Sequence, residues 1–242
     1  MKIPGMWRME AKNSDVLELT IYDTIEGDDR NWFTGEKIES ETSAQHFRAE
    51  LEKHPDVKEI RVYINSLGGS VLEGSAIYAQ LKRHPAHKTV IIDGFACSIA
   101  SAIAMAGDTV IMPETSMMMI HNPWTVAMGN AKELRKAADD LDKMSESVQQ
   151  AYLSKAGDKL TPERLREMLD AETYLTAAEC IELGLADAHE EKPAEPETEP
   201  EEKAQARAMV EQARQEAAAS AAEAELTARR KKAVAVIEKY FR

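Results

Sequence analysis

Cysteine is scarce in this chain: two occur among 242 residues, Cys97 and Cys180, with no Cys-x-x-Cys spacing and no neighbouring histidine cluster. That excludes a disulfide framework and a cysteine-held zinc, so both thiols are expected buried and reduced, in helical contexts. Positive charge is the second deficit. Lys and Arg number 30 against 43 Asp and Glu, a formal net charge of −13. A field of that sign repels phosphates, so no nucleic-acid partner is expected. Long apolar runs are also absent. No stretch nears the roughly 18 apolar residues of a spanning helix, and residues 1–8 hold no sustained apolar segment. The expectation is a soluble, cytoplasmic protein without a membrane partner. Finally, no Gly-x-Gly-x-x-Gly follows a strand and no Gly-Lys-Ser/Thr ending occurs, which removes the common nucleotide-binding loops. No cofactor and no metal are expected.

What the chain does hold is alternation. Val16-Leu17-Glu18-Leu19-Thr20-Ile21-Tyr22 switches between apolar and polar as a half-buried strand does, and a polar loop with Trp32 and Phe33 follows it. Ala44, Phe47 and Leu51 recur at helical spacing until Pro55 ends the helix. Residues 57–64 read as a second strand, Val71 opens a helix that reaches the His84-Pro85 break, and Thr89-Val90-Ile91-Ile92 is a buried strand. From Ser98 to Gly107 almost every residue is small or apolar, which predicts a buried helix.

Strands over 109–112 and 116–120 flank a turn at Pro113-Glu114-Thr115. A long amphipathic helix is predicted over about 130–156, with Leu134, Ala138, Leu141, Met144, Val148 and Leu153 in register. Thr161-Pro162 starts another helix. Residues 170–175 are extended, and Thr176-Ala177-Ala178-Glu179 is a capping box for a helix that closes at Gly184. Residues 185–187 then return to the sheet. The pattern predicts an α/β domain with mainly parallel pairing.

Composition changes at Glu190. The Pro-spaced acidic stretch that follows buries nothing and should stay extended, and residues 203–242 are rich in helix-forming Ala, Glu, Arg and Gln. The expected organisation is an N-terminal segment 1–15, an α/β domain 16–189, an acidic linker 190–202 and a helical extension 203–242.

Several residues sit where chemistry would need them. Ser98 lies between the strand at 89–92 and the small-residue helix, where it reads either as a helix cap or as a nucleophile on a strand-to-helix turn. Gly68 and Gly69 between strand and helix are either plain punctuation or a turn whose amides face an anion. His121 ends a strand, as a structural donor or as a base. Ser101, three residues after Ser98, reads as a small packing residue or as the alternative nucleophile.

Taken in order, Ile64-Asn65-Ser66-Leu67-Gly68-Gly69, Ala96-Cys97-Ser98-Ile99-Ala100-Ser101, Met119-Ile120-His121-Asn122-Pro123, Tyr174-Leu175-Thr176-Ala177 and Glu182-Leu183-Gly184-Leu185-Ala186-Asp187 resemble the ClpP-like serine peptidases. The resemblance spans roughly residues 16–187. It is most like the head maturation proteases of tailed bacteriophages, through the Trp32-Phe33 loop and the charged extension.

The resemblance implies a ClpP/crotonase-like fold of repeated β-β-α units and an acyl-enzyme peptidase. It implies Ser98 as nucleophile, His121 as general base, and the Gly68 and Ile99 amides as oxyanion hole. Gly69, Ser70, Asn122 and Pro123 would contact substrate. Glu172 stands where the family places its aspartate, with Asp170 in reserve. Implied partners are capsid and scaffold polypeptides within an assembling procapsid, and further copies in a seven-membered ring or stacked rings, with the long helix between facing rings. A housekeeping subunit working with a Clp ATPase, a catalytically inactive assembly homologue, a crotonase-type acyl-CoA enzyme and a Ser-Lys signal-peptide peptidase are the alternatives.

Overall fold

The computed structural model describes residues 7–11, 15–31 and 33–190. Trp32, the acidic linker from 191 onward and the predicted helical extension lie outside the described residues. The described residues build a seven-stranded sheet with helices on it and a separate two-stranded one.

Local sequence explains most boundaries. β1 (Trp7–Ala11) and β2 (Val16–Ile21) form an antiparallel pair, and β2 buries Leu17, Leu19 and Ile21 on one face. β3 (Asp29–Arg30) and β4 (Lys37–Ile38) make a short separate hairpin. α1 (Ala44–Leu51) starts where the Ser43 hydroxyl accepts the His46 amide. Its buried Ala44, Phe47 and Leu51 are the three residues whose spacing predicted it. β5 (Glu59–Ser66) leads into α2 (Val71–Arg83), which Ser70 caps by accepting the Glu73 amide.

β6 (His87–Cys97) precedes α3 (Ile99–Ala104), and β7 (Thr109–Ile111) and β8 (Met117–Ile120) follow. α4 (Ala131–Ala156) opens with a capping box of Asn130 and Glu133. α5 (Pro162–Asp170), β9 (Thr173–Thr176) and α6 (Ala177–Glu182) complete the described chain, α6 behind the Thr176–Glu179 capping box.

The sheet order is β1-β2-β5-β6-β8-β9, with β7 also on β6. β2, β5, β6, β7 and β8 pair in parallel, while β1 and β9 are antiparallel edges. The predicted mixed α/β, mainly parallel architecture is the one observed. A continuous core runs from Leu17 on β2 through Ile64, Val90 and Ile103 to Leu165 on α5, all fully buried. Each such aliphatic side chain is worth about 1.5–3 kcal/mol removed from water.

Four expectations need correction. The sheet begins before residue 16, because Trp7–Ala11 pairs with β2 within the segment read as N-terminal to the domain. β6 does not stop at Ile92 but continues to Cys97, so Cys97 ends a strand and is not helical. Its two halves carry different partners: Thr89–Ile91 pair with β7, and Phe95–Cys97 with β8. An irregularity in the β5 register between Ile64 and Ser66 makes room for this, and the Asn65 side chain accepts the Phe95 amide there at 3.1 Å. Residues 185–187 do return to the sheet but form no strand there: the Asp187 amide donates to the Val110 carbonyl at 2.8 Å and Ala188 makes an isolated bridge to Ile111.

The fourth correction concerns α4. Its buried residues are Ser145, Gln149, Ala151, Tyr152 and Ala156, whereas Leu134 and Met144 of the predicted apolar stripe are exposed. The N-terminal half of the helix, up to Met144, has no buried residue. Periodicity alone does not say which part of a long helix lies on the domain.

Candidate active site

The C-terminal ends of β6 and β8 lie side by side, and each releases one reactive side chain. Ser98 leaves β6 with φ 54 and ψ −131, a conformation costly for any residue with a Cβ. In that conformation its side chain makes no capping bond to α3. Its hydroxyl instead meets His121, with Nε2 to Oγ 2.8 Å. Of the two readings of Ser98, the geometry is that of the strand-to-helix turn. His121 follows β8 directly and is half-buried, with the Ser98 amide donating to the Met119 carbonyl at 2.8 Å. One backbone bond therefore ties the serine to the strand that presents the imidazole.

The Gly68-Gly69 turn closes the site from the β5 side. Gly68 has φ 96, and a Cβ on it would lie 2.7 Å from Ser98 Cβ and 2.8 Å from the Cys97 carbonyl. Gly69, with φ 146, packs against Ile25, where a Cβ would fall 2.2 Å from the carbonyl oxygen. Only glycine allows that approach.

The Ile99 amide, first in α3, has no intrahelical acceptor. The Gly68 amide is engaged, donating to Ser66 Oγ at 3.1 Å. Ser66 in turn donates to the Asp23 carbonyl at 2.7 Å, so the turn is held by a bonded serine that sequence reasoning did not single out. A serine two residues before a Gly-Gly turn was the available signal.

A cleft of roughly 370 Å³ opens over the pair, lined by Thr24, Leu67, Gly68, Ser98, His121 and Trp124 among others. Gly69 and Pro123 line it too, while Ser70 is occupied as the cap of α2. Leu67 and Trp124 stand 78% and 75% exposed, giving the cleft two apolar rims. Asn122 faces an adjoining cleft with Pro123 and Asp170. There it donates to Asp170 Oδ1 at 2.7 Å and accepts from Ser145 Oγ at 2.6 Å, and Gln149 donates on to Ser145 at 3.1 Å.

The two expected acids are not brought to the imidazole. Asp170 is engaged by Asn122. Glu172 is exposed and sits with φ 48 in the turn between α5 and β9, with no hydrogen bond to His121. The tight turn from helix to strand sets the direction of that residue, which residue type and spacing do not encode.

Ser101 is not in the cleft. It is fully buried, its hydroxyl engaged by the Ser98 carbonyl and Tyr152. Among the described residues no group of three or more His, Cys, Asp or Glu could hold a metal ion, and no helix is long and apolar enough to cross a membrane. Both cysteines are buried and free.

A serine and a histidine hydrogen-bonded at the ends of neighbouring parallel strands, with a glycine turn against the serine, have the geometry of a serine-hydrolase site. Residues 17–192 match the Clp protease family, and the chain belongs to that family. It is 32% identical over 140 residues to the ATP-dependent Clp protease proteolytic subunit of Ligilactobacillus salivarius (strain UCC118), covering 57% of this chain and 70% of that one. The membership makes this a ClpP-related protein of the serine-peptidase class.

Proposed function

We propose that the chain is a serine endopeptidase in which Ser98 is the nucleophile and His121 the general base. The observation that carries this reading is the 2.8 Å contact between His121 Nε2 and Ser98 Oγ, made by a serine in a strained turn. A serine hydroxyl is a weak nucleophile until an imidazole takes its proton. Nε2 receives that proton as Oγ attacks the scissile carbonyl, then delivers it to the departing amine as the acyl-enzyme forms. Water repeats the cycle, losing a proton to Nε2, which passes it to Ser98 as the acyl group leaves.

The Ile99 amide is free for the oxyanion. The Gly68 amide joins it when the peptide exchanges its bond to Ser66 for one to the substrate oxygen. Preorganised donors of this kind often supply the largest single share of catalysis. Glu172, or Asp170 after release from Asn122, is the proposed third member when neighbouring copies reshape the α5–β9 turn.

Capsid and scaffold polypeptides are the proposed substrates, within a self-assembled ring inside a procapsid. This rests on the acidic linker and the charged, helix-forming extension beyond it, since the family match ends at residue 192 of 242. A second reading, a proteolytic subunit served by an ATP-driven unfoldase, is favoured by the name of the relative from Ligilactobacillus salivarius.

Fluorophosphonate labelling of wild type, Ser98→Ala and His121→Ala tests the chemistry. Wild type should label, and both variants should lose it. Persistent labelling in Ser98→Ala would move the nucleophile elsewhere. Co-expression with capsid and scaffold polypeptides, using the full chain and a chain cut at Lys192, tests the substrate. Processing that needs the extension supports the procapsid reading, whereas ATP-stimulated degradation of a folded substrate with a Clp ATPase supports the second.

A further inference from the structure

Ser98 is gripped on both sides of its strained backbone. Its amide donates to Met119, and its carbonyl accepts the Ser101 amide at 3.0 Å as well as the Ser101 hydroxyl. The single hydroxyl proton of Ser101 is thereby committed. In the 2.7 Å contact between Ser101 Oγ and the Tyr152 hydroxyl, the tyrosine must therefore donate.

Tyr152 lies on α4, is 1% exposed, and is among the largest fully buried side chains of the described residues. A buried hydroxyl is costly unless bonded, and the surrounding α3 is otherwise Ile and Ala, which give a serine no packing advantage. The chain thus places two buried polar groups, 51 positions apart, in one line ending on the carbonyl of Ser98.

We propose that Tyr152 and Ser101 act as a positioning latch, holding the Ser98 peptide in its strained conformation so that Oγ faces His121. Neither residue touches substrate. Without the latch only the Ser101 amide holds the carbonyl, which lets the backbone relax towards negative φ and Oγ swing off the imidazole. α4 thereby governs the geometry of the nucleophile from behind the site. The inference rests on the peptidase reading above and extends it to two residues outside the cleft.

The test uses the full-length protein as wild type, Ser101→Ala and Tyr152→Phe, with Ser98→Ala as the zero. The second-order rate constant for fluorophosphonate labelling, and kcat and KM on a peptide, are measured at temperatures where every variant is folded. Ser101→Ala should slow labelling and kcat roughly tenfold to a hundredfold, as expected for a nucleophile displaced by a fraction of an ångström. Tyr152→Phe should slow them by about threefold to tenfold, the span of one net hydrogen bond. KM should stay within about twofold in both, because substrate contacts are untouched.

Residues that only fill space would lower the unfolding midpoint while leaving the rate constant of folded molecules at the wild-type value. That result in both variants overturns the latch alone. Failure of wild type to label overturns the peptidase reading and the latch with it.

Discussion

The Ser98 amide donates to the carbonyl of Met119, two residues before His121. This single bond links the strand that delivers the nucleophile to the strand that delivers the base. The pairing of Cys97 with Met119 continues the same ladder up to the site. Relative placement of the two side chains therefore follows from strand register, and loops contribute little to it. Perturbations that leave the β6–β8 register intact should change chemistry without unfolding the domain.

Gly68→Ala is one such perturbation. The added methyl would meet Ser98 Cβ at 2.7 Å, at a backbone φ of 96 that disfavours any Cβ. A stability loss of about 1–3 kcal/mol is expected from the strain, together with a fall in fluorophosphonate labelling of roughly a hundredfold. Urea unfolding and labelling rates measured on one preparation would separate the two. Near wild-type labelling would mean the turn does not abut the nucleophile as described.

Glu172→Gln and Asp170→Asn distinguish a working Ser-His pair from a triad. Neither carboxylate touches His121 in this structure, so a site that works as drawn should keep labelling within about threefold in Glu172→Gln. A loss of a hundredfold or more in that variant would show that the assembled protein turns Glu172 onto the imidazole. Asp170→Asn should loosen the Asn122 contact and shift KM more than kcat, since Asn122 lies in the adjoining cleft, next to Pro123 of the active-site cleft, and holds no reacting atom.

Gly74→Ala should act on the site through packing. A Cβ at Gly74 of α2 would come 2.2 Å from Ile99 Cγ1, forcing Ile99 to move. Overpacking of that kind costs about 1–3 kcal/mol, and displacing Ile99 also displaces the free amide next to Ser98. Reduced labelling alongside a lowered urea midpoint is the expected pair of results.

Alkaline pH should erode stability in a defined window. Burial, with a smaller contribution from the Glu179 charge, pushes the Cys180 thiol up from 9.0 to about 12. Burial likewise raises Tyr152 from 10.0 to about 12. Each group holds its proton in the native state after the unfolded chain has released it. Their contribution is fully present below about pH 9 and is lost as pH rises towards 12. Urea midpoints should be flat from pH 7 to about 8.5 and fall beyond, less steeply in Cys180→Ala. A profile of equal slope in that variant would remove the thiol from the account.

Local chemistry made much of this protein legible from its sequence. Thr161 and Thr176 are legible as helix starts, and Ser43, Ser70 and Asn130 cap their helices in the same way, because a short polar side chain reaches the free amides of the next turn whatever the rest of the chain does. Alternating residues likewise predicted β2 and β5, and motif order pointed to Ser98 and His121. Tertiary structure alone decided what depends on partners distant in sequence. β6 runs on to Cys97 because β7 and β8 each pair with a different half of it. Glu172 is exposed and makes no hydrogen bond to His121, because it sits with φ 48 in the turn from α5 to β9, and a residue's identity does not carry the turn that places it. Ser101 looked like packing because its partner, Tyr152, lies on another helix. Hydrogen bonds that span such distances form only when the core has closed around them, so their pairing is a property of the fold rather than of any local stretch of sequence.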